Sequence, residues 1–69
     1  MLNIVRQYRR DFLREHQDPP KRLLIHPEFF ARLAEESAHG EFYIDLQGRT
    51  IFCGMVVEGR TGVDVFEIS

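Results

Sequence analysis

Residues 40–58 read GEFYIDLQGRTIFCGMVVE, and along them the hydrophobic period becomes two. Phe42, Ile44 and Leu46 fall on one face and Tyr43 and Asp45 on the other, the alternation of a half-buried strand. Gln47-Gly48 then has the composition of a turn, and a second apolar run extends from Thr50 to Glu58. The two runs predict a hairpin with strands over 41–46 and 50–58. A third run, 63–68, follows the turn-like Glu58-Gly59-Arg60-Thr61-Gly62 and is expected to pair with the second. This half of the chain therefore reads as a three-stranded antiparallel β-meander.

Upstream of Gly40 the period is helical. Leu2, Val5, Tyr8, Phe12 and Leu13, with Ile4 alongside, recur at the spacing of one helix face, while Arg6, Arg10 and Arg14 recur every fourth residue on another. The spacing predicts a helix over 2–17, ended by Asp18-Pro19-Pro20, because proline disfavours helical geometry in the residue before it and has no N–H to donate. Leu23-Leu24-Ile25 is too brief for a helix and is bounded by proline on both sides, so it reads as a short strand or an extended lead-in. Pro27 suits the first position of a second helix over 27–38, with Phe29, Phe30, Leu33 and Ala34 inward. His26 is placed to cap it, His39 to meet the negative end of its dipole, and Gly40 to close it in a left-handed conformation. The expected architecture is one α+β domain spanning 1–69, two helices packed on the meander.

Within the run 50–58, read as a single strand, Ile51, Cys53, Met55 and Val57 face one side and Phe52, Gly54 and Val56 the other. Both faces are then apolar, and both need cover. Tyr43, Phe52, Val56, Phe66 and Ile68 are expected to line the second face, covered by the first helix or by another molecule, a second copy in a homodimer included.

A chain of 69 residues buries only about 60% of the surface its unfolded form exposes, so marginal stability is expected. One cysteine excludes an internal disulfide, while 43% apolar residues with six Phe and two Tyr are the composition of a globular core. Charge is split along the chain. Residues 1–32 carry seven positive and four negative side chains, and residues 33–69 carry two and seven, for a net −2. Arg6, Arg9 and Arg10 stand where a signal peptide would be apolar, and no run approaches a bilayer span, so a cytoplasmic protein without a membrane partner is expected.

Catalytic equipment is sparse. Cys53 has neither a base nor a cation beside it in sequence and reads as a small buried hydrophobe. His16, His26 and His39 lack the short paired spacing of metal ligands, so no metal is expected. Glu35-Glu36 diverge on a helix and cannot flank a substrate. No glycine-rich loop joins a strand to a helix, so no nucleotide or other cofactor is expected. The chain is expected not to be an enzyme.

The arginines carry the strongest functional signal. Arg6, Arg10 and Arg14, with Arg22, form a basic face suited to phosphates or to carboxylates of a partner. Asp11 and Glu15 interrupt that face, and the net negative charge opposes general affinity for nucleic acid. Protein–protein binding is therefore expected, through Arg6, Arg10, Arg14 and Arg22 or through Tyr43, Phe52, Val56 and Phe66, with nucleic-acid binding as the alternative.

The segments KRLLIHPEFFARLAEE and GRTIFCGMVVEG, within residues 21–59, resemble a pattern in short proteins of tailed phages and prophages and in the periphery of some phage capsid proteins. It consists of an apolar triplet, His-Pro opening a helix, and a strand with Gly-Met-x-Val. The chain lacks every other element of the capsid fold, which argues against a shell-forming role. The resemblance implies a phage-encoded, host-interacting or virion-accessory protein and assigns no functional residue.

Overall fold

A computed structural model describes residues 1–38 and 40–69. His39, and the dipole contact expected of it, lies outside the described residues. The chain is α+β, with two helices and five strands in the order α1 (Leu2–His16), β1 (Arg22–Ile25), α2 (Pro27–Glu36), β2 (Phe42–Ile44), β3 (Thr50–Phe52), β4 (Met55–Gly59) and β5 (Phe66–Ile68). No helix among the described residues is long and apolar enough to cross a membrane.

Both helices form where their patterns place them. Gln17 closes α1 in the left-handed region at φ 59°, donating its N–H to the Leu13 carbonyl, and the chain bends at Gln17-Asp18, ahead of the two prolines. His26 caps α2 as expected, its Nδ1 accepting from the Glu28 N–H at 3.2 Å. The other end departs from expectation. Ser37 closes α2 by donating its hydroxyl to the Leu33 carbonyl at 2.6 Å, which leaves Gly40, at φ 91°, to the turn entering β2.

The sheet is five-stranded and mixed, ordered β2-β3-β4-β1-β5, and not the three-stranded antiparallel meander expected from periodicity. Two features make the difference. First, residues 50–58 are two strands, not one. Cys53 and Gly54 both take positive φ, 49° and 82°, and fold the run into a two-residue hairpin pairing Phe52 with Met55 and Ile51 with Val56. Second, Leu23-Leu24-Ile25 is a central strand, parallel to β4 and antiparallel to β5. Its unbroken apolar run is what a strand flanked on both edges carries.

The hairpin also reassigns the faces. Register puts Leu23, Ile25, Phe52, Met55 and Val57 on one side of the sheet, where they form one buried cluster with Val5 of α1 and Leu33 of α2. Both helices therefore lie on the same side. Phe52 is fully buried there, and Phe66 and Ile68 pack against the same cluster, so none of the three lines the second face. That face carries Tyr43, Ile51, Val56 and Leu24 among Arg22, Glu58 and Glu67, and neither helix lies over it.

Candidate functional site

The arginines of α1 do not act as one stripe. Arg6 faces the hairpin tip and forms a two-armed ion pair with Glu41, its Nε donating to Oε2 at 3.1 Å. Arg9 donates to the Cys53 carbonyl at 3.1 Å. Arg14 pairs with Asp11 at 3.0 Å, and Arg10 donates to the neutral Gln7 side chain. Arg22 is remote from them, on the open face of β1, with Glu58 at 3.7 Å. Arg6 and Arg10 share the wall of an open cleft of about 570 Å³ that reaches Cys53. Arg14 and Arg22 lie outside it.

The chemistry of that cleft is structural. Glu41 accepts from the Ala38 N–H at 2.7 Å and from the Cys53 thiol at 3.7 Å, besides Arg6. These donors, Arg6 first, hold its carboxyl below the usual glutamate range. Cys53 is in a turn beside a carboxylate and two arginines, and not mid-strand as its sequence context suggested. Burial, and then the Glu41 charge, push the thiol up, so the thiolate needed for nucleophilic attack is disfavoured at neutral pH. Arg6, Arg9, Glu41 and Cys53 together pin α1 to the tip of the β3–β4 hairpin. Among the described residues no three His, Cys, Asp or Glu side chains are grouped to hold a metal.

The second surface is a groove between α1 and β5. Ile4 and Tyr8, expected inward, are 55% and 57% exposed, and Val65 beside them is 38% exposed. Tyr8 meets Phe66 edge to face, ring centroids 5.1 Å apart. One cleft of about 500 Å³ is lined by Met1, Ile4, Tyr8, Val65 and Phe66. A second, of about 520 Å³, continues past Tyr8 and Phe66 to Phe12 and Ile68. Since β5 is the last strand of the sheet, this groove runs along an edge with no neighbouring strand.

The eight residues expected to bind a partner are thus dispersed. Arg6 and Arg10 flank the Cys53 cleft, Arg14 and Arg22 are paired elsewhere, Tyr43 and Val56 lie on the open face, Phe52 is in the core, and Phe66 alone reaches the groove. Sequence reading missed Ile4, Tyr8 and Val65 as surface. The available signal was the apolar arc on α1, where Ile4 and Tyr8, four apart, widen it beyond what Val5 and Phe12 need. No protein-family model, curated protein or solved structure matches this chain.

Proposed function

We propose that this protein is a non-catalytic protein-binding module whose working surface is the groove between α1 and the free edge of β5. The supporting observation is that Ile4, Tyr8 and Val65 stay exposed beside Phe66 of a strand that has one free edge. Natural edge strands are usually shielded by charge, proline or a covering element, and contiguous exposed apolar surface marks a place where something docks. On the resemblance of residues 21–59 to short tailed-phage proteins, the proposal extends to a host-interacting or virion-accessory role in the host cytoplasm.

A nucleic-acid reading draws on Arg9, Arg10 and Lys21, which make no ion pair among the described residues. The test is selection from a random peptide library, with binders mapped by amide chemical shifts. Binders that move the amides of Ile4, Tyr8 and Phe66 are the expected outcome. If none does, and duplex DNA instead binds in a salt-sensitive way that Arg10→Glu abolishes, the function moves to the arginine face.

A further inference from the structure

The hydrogen-bond parity of β5 fixes what its edge offers. Arg22 and Ser69 exchange both backbone bonds at 3.0 Å, and the His26 N–H donates to the Val65 carbonyl at 2.8 Å. In an antiparallel ladder the residues that bond to one neighbour alternate with those facing away. Residues 65, 67 and 69 face β1, so the N–H and C=O groups of Phe66 and Ile68 point out of the sheet. These groups are a template for one more strand.

The side chains along that edge are equally ordered. Phe66 and Ile68 share the helix side with the core cluster, beside Tyr8, while Glu67 projects on the open side. The groove is acidic along its rim, where Asp11, Glu15, Asp64 and Glu67 appear. Its cations are already engaged: Arg32 and the N-terminal ammonium both bind Glu36. Glu15, Asp64 and Glu67 form no ion pair among the described residues.

Resting on the protein-binding reading above, we infer that the groove takes an extended peptide segment with apolar and basic residues in alternation, added to β5 as a sixth strand. Apolar side chains of the guest meet Phe66, Tyr8 and Ile4 on the helix side, and its lysines or arginines project on the open side, where they meet Glu67. A second copy is a poor guest. Antiparallel pairing that overlaps all three residues of β5 sets Glu67 against its own copy, and like charges directly opposite oppose pairing. The other free edge, β2, is flanked by Glu41 and Asp45 and brings no cation either.

The experiment titrates the ¹⁵N-labelled full chain with blocked hexapeptides of alternating Lys-Val, Thr-Val and Glu-Val. The Lys-Val peptide should shift the amides of Tyr8, Phe66, Glu67 and Ile68 saturably and give interstrand NOEs to Phe66 and Ile68. The Glu-Val peptide should not bind, and Glu67→Lys, a change at an exposed site, should weaken Lys-Val binding about fivefold. Thr-Val binding at the groove as tightly as Lys-Val would overturn the charge assignment while leaving the protein-binding reading intact. No peptide acting on these amides would overturn both. Concentration-dependent shifts of β5 without peptide would overturn the inference in favour of a second copy.

Discussion

Glu41 shows how one side chain can hold two elements together. It accepts from Arg6 of α1, from the Ala38 N–H and from the Cys53 thiol at the hairpin tip, and its carboxyl is held low, chiefly by Arg6. Between the lowered native value and the ordinary unfolded one, the unfolded chain binds more protons than the native chain, so stability rises with pH there. The contribution is complete above the range where an unfolded glutamate titrates and is lost as pH falls through the native value. Glu41→Gln should therefore flatten the acid limb of stability against pH, measured as the urea midpoint from neutral pH downwards. An unchanged limb would assign acid sensitivity to Glu36 and Asp45, whose carboxyls are also held low. The arginine spacing was legible in the sequence, but Glu41 as the partner of Arg6 was not, because 35 residues separate them and no local rule links them. Cys53 was hidden for another reason. The left-handed residue of a two-residue hairpin turn is normally Asn, Asp or Gly, and a cysteine there gives no warning.

At the scale of elements, that missed turn decides the faces of the sheet. Read as one strand, residues 50–58 put Phe52 on the outer face. Folded at Cys53-Gly54, they put Phe52 and Met55 side by side under the helices. Phe52→Ala should cost about 3–5 kcal/mol, a large share of the stability of so small a domain, with thermal unfolding as the readout. A loss below about 0.5 kcal/mol, the range of surface changes, would place Phe52 outside the core. The helices were legible because 3.6-residue periodicity, Pro27 and His26 are local signals. β1 was legible as an apolar triplet but not as the centre of the sheet, because its parallel register, Arg22 with Val56 and Ile25 with Gly59, joins distant residues. The groove was hidden because Ile4 and Tyr8 match the helix period as well as Val5 does, and only packing distinguishes the turned-in side chain from the exposed one.

On the scale of the molecule, the sheet has one helix-covered face, one open face and two free edges. The open face is only moderately apolar. Ile51 is buried between its neighbours, and Arg22, Glu58 and Arg60 form an ion-paired border. With Glu67 opposing self-pairing at β5, the isolated chain should remain at 8.2 kDa by light scattering across a concentration series, at low and high salt. A dimer that persists at high salt would identify an apolar self-interface, at the groove if the β5 amides shift with concentration and on the open face if they do not. The order in which the strands are made has a further consequence. β1 lies between β4 and β5 in the sheet, yet both are synthesised after it, so Leu23-Leu24-Ile25 leaves the ribosome with neither neighbour available. Until β4 follows, the nascent chain presents its most apolar triplet to solvent, and the interval between the two is when the chain is most prone to aggregate.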